Sequence, residues 1–197
     1  MRLDRLILRF GVCMAAAILA VAGGRAAVAA QNHHRGIQGR PAPELAVDYW
    51  IGTDGKQTDP VRIKDYRGKM IYLYCFQAWC PGCHSRGFPT LVKISRSFEK
   101  DDRIVFLAVQ TVFEGHATNT KGKLATIQER YGLKLPFGHD AGSKTSHGVP
   151  TTMANYRTGG TPWVILIDQD GKVIYNDFHI DVDKAPSVIR ELLAKER

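Results

Sequence analysis

Three runs in the chain are apolar without polar alternation: Met70-Ile71-Tyr72-Leu73-Tyr74-Cys75-Phe76, Ile104 to Val109, and Trp163 to Ile167. Strands buried on both faces have this pattern, as the inner strands of parallel sheets do. Between the first two runs, Phe88, Leu91, Val92, Ile94 and Phe98 recur at helical spacing in a segment from Pro81 to about Glu99. Pro89 is expected to kink that helix, because it has no N–H to give to the preceding turn. Strand, helix and strand in this order predict a right-handed crossover unit.

The flanking segments are shorter. Tyr49-Trp50-Ile51 followed by Gly52-Thr53-Asp54-Gly55 predicts a hairpin, and Val61-Arg62-Ile63 alternates like a short edge strand. A loop over 111–120 precedes a helix from about Lys121 to Tyr131, which Gly132 ends. Leu135-Pro136-Phe137 reads as a short strand, and Thr151 to Tyr156 as a brief helical turn. Asp168-Gln169-Asp170-Gly171 is a hairpin turn that returns the chain through Lys172 to Tyr175. A last helix, about Val182 to Lys195, is expected to turn Val188, Ile189, Leu192 and Leu193 to the core.

The candidate chemistry lies where the first apolar run ends, at Trp79-Cys80-Pro81-Gly82-Cys83. Two cysteines three apart at a helix start lie about one turn apart, so a bond between them can open and close without unfolding the chain. With Cys80 at the N-cap, Pro81 takes the first helical position, where its missing N–H costs nothing. The Cys80 sulfur then faces the positive helix end and unpaired N–H groups, which favour the thiolate. Cys80 is the expected nucleophile and Cys83 the resolving thiol.

The N-terminus changes how the cysteines are read. Arg2, Arg5 and Arg9 precede an uncharged run from Phe10 to Gly24 and small residues through Ala30, which reads as a signal peptide over residues 1–30 or, uncleaved, as a membrane anchor. Residues 31–40 read as a flexible lead-in, with His33-His34 a solvated pair, and 41–197 as a single domain. An oxidising compartment preserves disulfides. Of four cysteines in the chain, Cys13 falls in the leader. Cys75, Cys80 and Cys83 remain, an odd set unsuited to a structural framework, with Cys75 read as a buried core thiol. Net charge is +8, but the lysines and arginines are scattered and interleave with no aromatics, so a nucleic-acid partner is not expected.

A strand ending in Trp-Cys-x-x-Cys, a crossover, Gly159-Gly160-Thr161-Pro162 and a closing hairpin together resemble the thioredoxin superfamily, within it the exported TlpA-like, redoxin-type thiol-disulfide oxidoreductases. Pro41-Ala42-Pro43, Tyr66-Arg67-Gly68-Lys69 and Asp168 to Gly171 also match, so the resemblance spans about 41–197. It implies an α/β thioredoxin-like fold: a central mixed sheet flanked by helices, with an N-terminal hairpin extension and an insertion before the cis-proline loop. It implies a cis Pro162 beside the cysteines, and Trp79, Pro81, Thr161 and Pro162 as substrate contacts. It implies no cofactor, protein dithiol or disulfide substrates, a separate redox-recycling partner, and export to a bacterial periplasm, soluble or N-terminally anchored. The family's TlpA-like character favours the reductase direction.

The chain departs from the family in several places. Tyr74 stands where related enzymes often carry a buried acid, which leaves proton transfer to Cys83 unassigned. His84-Ser85-Arg86-Gly87 replaces an acidic position after the second cysteine, so His84 and Arg86 either place positive charge near Cys80 or face solvent. The insertion with Glu114-Gly115-His116 and His139-Asp140 is expected to shape partner choice. A copper- or zinc-binding chaperone, using both cysteines with His147 or His179, is the alternative. A peroxide-reducing enzyme is disfavoured, because Gln77 stands where a threonine or serine is needed.

Overall fold

Residues Met70–Phe76 form β3, buried at every position, and alternate side chains enter two different cores. The computed structural model describes residues 35–142 and 147–195. The leader-like stretch over 1–30 and the His33-His34 pair lie outside the described residues. Period-two alternation sends Tyr72, Tyr74 and Phe76 to one face of the sheet and Ile71, Leu73 and Cys75 to the other.

The remaining strands are β1 (Tyr49–Ile51), β2 (Gln57–Thr58), β4 (Ile104–Thr111), β5 (Phe137–Asp140), β6 (Trp163–Ile167) and β7 (Val173–Asp177). They form one seven-stranded sheet in the order β2-β1-β5-β4-β3-β6-β7. Pairs β3/β4 and β4/β5 are parallel, and β3/β6, β6/β7, β1/β5 and β1/β2 are antiparallel. The helices are α1 (Phe88–Ser97), α2 (Lys123–Tyr131), α3 (Thr151–Tyr156) and α4 (Ala185–Lys195). On the Tyr74 face, α1 contributes Phe88, Leu91 and Ile94, α2 Leu124 and Ile127, and α4 Ala185, Ile189 and Leu193. On the Cys75 face lie Trp50, Ile63, Tyr156 and Trp163. This is the expected mixed sheet between helices, and no helix among the described residues is long and apolar enough to cross a membrane.

Several local expectations need correction. Ile63–Tyr66 is a 3-10 helix instead of an edge strand, because the Glu44 carboxylate accepts from the Ile63 and Lys64 N–H groups at 2.8 and 3.0 Å and stabilises a helical start. The fifth strand runs from Phe137 to Asp140, so it starts two residues later than the short strand expected at Leu135-Pro136-Phe137 and takes His139 and Asp140 into the sheet. Val188 is 48% exposed. The buried stripe of α4 is Ala185, Ile189 and Leu193, spaced by four, and Val188 lies a quarter-turn away from it. The described part of the lead-in is docked: Gly36 N–H donates to the Arg157 carbonyl, Gly39 N–H to Val173, and Val173 N–H to Arg40, with Ile37 buried beneath. Pro41 bridges Lys172.

The helix after the cysteines also differs from expectation. It starts at Pro81, but Cys83–Gly87 is a π-helical turn in which the Phe88 N–H reaches the Cys83 carbonyl, and α1 follows. Pro89 near the start of α1 cannot close an α-type bond to the preceding turn. The wider turn just before it is where the regular helical bonding is interrupted, as expected next to a proline.

Candidate active site

Strand β3 ends at Phe76, and the chain then makes one turn, with the Cys80 N–H donating to the Gln77 carbonyl at 3.2 Å. Cys80 sits at the N-cap and Pro81 opens the helix. The Cys83 N–H donates to the Cys80 carbonyl at 3.1 Å and to Cys80 Sγ at 3.3 Å. The sulfur thus occupies the place of a capping oxygen. Cys80 Sγ also lies 3.6 Å from the Thr161 carbonyl, and the Thr161–Pro162 peptide bond is cis. Pro162 Cδ stands 3.5 Å from where a Cβ on Gly82 would be. Three sequence candidates, Cys80, Thr161 and Pro162, therefore come together, with Pro81 exposed beside them and Trp79 46% exposed.

The two cysteines have different surroundings. Cys80 keeps 8% of its surface and Cys83 none. Burial, and then the hydrogen bond shared with the Cys80 sulfur, push the Cys83 thiol up to about 12. Cys75 enters the core across the sheet from both. Its thiol is pushed far up by burial, then by the nearby Asp140 carboxylate. Tyr74 is pushed well above its ordinary value, by burial first and by Cys83 second, so its hydroxyl keeps its proton and donates to the Cys83 carbonyl at 3.5 Å.

The His84 ring is turned into the structure and hydrogen-bonded at both nitrogens. Its Nε2 lies 2.6 Å from the Ala78 carbonyl, which can only accept, so Nε2 carries a proton. Its Nδ1 lies 2.7 Å from the Tyr131 hydroxyl of α2. Arg86 is exposed, and His179 is pushed down by burial and then by Arg86. Gln77 is buried, and its side-chain amide donates to the Thr111 carbonyl, so it offers Cys80 no hydroxyl. Among the described residues, no group of three or more His, Cys, Asp or Glu side chains is gathered as a metal would need.

One contributor had no signal in the sequence. Asn119, in the loop between β4 and α2, accepts at Oδ1 from the N–H groups of Ala78 (2.6 Å) and Trp79 (3.4 Å). A single asparagine in an irregular loop has no periodicity or spacing by which to be found. Of the insertion residues, Glu114 and Gly115 reach the site through it, since Asn119 Nδ2 donates to both their carbonyls, at 3.0 and 3.1 Å.

Residues 37–193 match the Redoxin family. The chain is 27% identical over 136 residues to the thiol-disulfide oxidoreductase ResA of Bacillus thuringiensis, an alignment covering 69% of this chain and 66% of that protein. ResA of Geobacillus thermodenitrificans is 29% identical over 112 residues, 57% of this chain and 56% of the relative. Among solved structures, a thioredoxin-like superfamily protein is 34% identical with a TM-score of 0.69, over 78% of this chain and 96% of that one. A thiol-disulfide isomerase from Corynebacterium glutamicum is 30% identical with a TM-score of 0.68, over the same shares of the two chains.

Proposed function

The chain belongs to the Redoxin family, among the TlpA-like thiol-disulfide oxidoreductases of the thioredoxin superfamily, and from that premise we propose that Cys80 and Cys83 exchange a disulfide with protein substrates in the reducing direction. The observation that carries the exchange chemistry is the asymmetry of the pair, Cys80 at the helix start with an N–H on its sulfur and Cys83 buried behind it with its proton firmly held. The reducing direction rests on the TlpA-like resemblance alone. The Cys80 thiolate attacks one sulfur of a substrate disulfide, and the other sulfur leaves as a thiolate that takes a proton. Cys83 then gives up its proton and attacks Cys80 Sγ, releasing the second substrate thiol. The substrate has gained two electrons and two protons, and the protein holds a Cys80–Cys83 disulfide. A second dithiol protein must return it to the reduced state.

Trp79, Pro81, Thr161 and Pro162 form the substrate face in this reading, supported by the exposure of Trp79 and by the contact of the Thr161 carbonyl with Cys80. Export to the periplasm is part of the same proposal and is argued from the leader-like residues 1–30. It is checked by fractionation and by the N-terminal sequence of the mature protein. For the chemistry, Cys80→Ser abolishes exchange, whereas Cys83→Ser accumulates mixed disulfides with partner proteins; a Cys83→Ser protein that turns over normally overturns the mechanism. Direction is read from the equilibrium with glutathione. A potential near about −270 mV supports a reductase, and one near about −120 mV an oxidant.

A further inference from the structure

The turn from Gln77 to Cys80 is held by groups that lie outside it in sequence. The peptide unit joining Ala78 to Trp79 has its carbonyl bonded to His84 Nε2 at 2.6 Å and its N–H directed at Asn119 Oδ1 at 3.4 Å. The preceding N–H, that of Ala78, is bonded to the same Asn119 oxygen at 2.6 Å. Two side chains on opposite sides therefore grip one peptide plane, one residue before the nucleophile.

Neither grip is loose. Asn119 is 1% exposed, and its other amide end is spent on the Glu114 and Gly115 carbonyls. The end of its loop is tied to the sheet, because Gln110 Nε2 of β4 donates to the Thr120 carbonyl at 3.1 Å. His84 is anchored in turn by the Tyr131 hydroxyl, and its ring lies near-parallel to that of Tyr131, the centroids 5.9 Å apart. The Trp79 indole lies over Gly115, where an added Cβ would come within 3.0 Å of its Nε1.

We propose that Asn119, with His84 as its counterpart, is a positioning residue: it fixes the Ala78-Trp79 peptide and so sets how Cys80 and Trp79 are presented together to a protein substrate. The inference rests on the oxidoreductase reading above. A protein substrate must engage Trp79 and Cys80 at once, so a displaced turn costs it rate. A small disulfide needs only the sulfur and is spared.

The test is single-turnover exchange of the reduced protein with insulin disulfides and with glutathione disulfide. In Asn119→Ala, the insulin rate falls about tenfold while the glutathione rate changes less than about twofold. His84→Ala acts on the same peptide, so the double variant loses no more than the larger single loss. Equal losses on both probes, multiplicative losses in the double variant, or no loss at all overturn the proposal. Hydrogen exchange of the wild type tests it without a variant: the Ala78 and Trp79 amides are protected, and fast exchange at both overturns it. A wild type that exchanges with neither disulfide overturns the oxidoreductase reading and this inference with it. A wild type that exchanges with both, beside an Asn119→Ala that keeps pace, overturns the inference alone.

Discussion

The hydroxyl of Tyr74 fills the space that a side chain at Gly87 would need: a Cβ there would overlap it and come within 3.0 Å of Pro162 Cβ. Gly87 has ordinary helical torsions, φ −61° and ψ −57°, so close approach demands the glycine and backbone conformation does not. A glycine-to-alanine change inside a helix ordinarily gains roughly 0.5–1 kcal/mol. Gly87→Ala is expected instead to cost about 1–3 kcal/mol through overpacking, read by urea unfolding. Tyr74→Phe in the same background recovers part of the loss, since residues in contact are not additive. A stabilising Gly87→Ala would show that the Tyr74 hydroxyl does not occupy this space.

Cys83 makes stability depend on alkaline pH. Its thiol is raised from 9.0 to about 12 in the folded protein, by burial and by its hydrogen bond to Cys80. The unfolded chain releases this proton near pH 9, while the folded one holds it to about pH 12. The stabilisation is thus complete below about pH 9 and is lost as pH rises through that window, by roughly 1 kcal/mol per pH unit. Between about pH 8 and about pH 11, the reduced wild type should lose more stability to urea than Cys83→Ala does. Equal slopes would contradict the burial of that thiol. At neutral pH, iodoacetamide should label Cys80 and leave Cys83 untouched.

How much of this was legible in the sequence depended on whether a residue acts through pattern or through contact. The seven apolar residues of β3 show their double-sided burial directly, and Trp79-Cys80-Pro81-Gly82-Cys83 names its own position at a helix start. Ile63 alternates like a strand residue, yet Glu44, nineteen positions earlier, turns its N–H into a helical one, and no local window contains that carboxylate. The short strand expected at Leu135-Pro136-Phe137 in fact runs from Phe137 to Asp140, because pairing with β1 and β4 on either side carries it through polar His139 and Asp140. At the site, Tyr74 read as a missing acid and is in fact a packing partner of Gly87. Asn119 was invisible because the bonds by which it reaches the site, to the Ala78 and Trp79 N–H groups, span about forty residues of chain.

Behind the cis peptide, Trp163 Nε1 donates to Asn176 Oδ1 at 2.6 Å, and Asn176 Nδ2 donates to the Tyr156 carbonyl at 3.0 Å. Asn176 is buried, so water cannot replace these bonds. Asn176→Leu is expected to cost about 2–4 kcal/mol for the two polar groups left unpaired, measured by thermal or urea unfolding. A change under about 0.5 kcal/mol would mean that the indole and carbonyl find other partners.

Trp79 and Gly115 separate presentation from stability. Gly115 adopts φ +59°, in the left-handed region, and an alanine Cβ there would stand 3.0 Å from Trp79 Nε1 and 3.1 Å from Asn119 Nδ2. Gly115→Ala therefore costs about 1–2 kcal/mol in backbone conformation and also displaces the indole. Trp79→Ala strains nothing: it removes a half-exposed ring from the surface and leaves both cores intact, so unfolding should change by less than about 0.5 kcal/mol. If the indole is the anchor on which a substrate protein docks, its loss raises KM for insulin disulfides about tenfold, the scale of a modest aromatic hot spot. The glutathione disulfide rate then stays at the wild-type value. An unchanged KM for insulin would remove Trp79 from the substrate face, and a parallel loss on glutathione would show that the ring acts on the Cys80 sulfur itself.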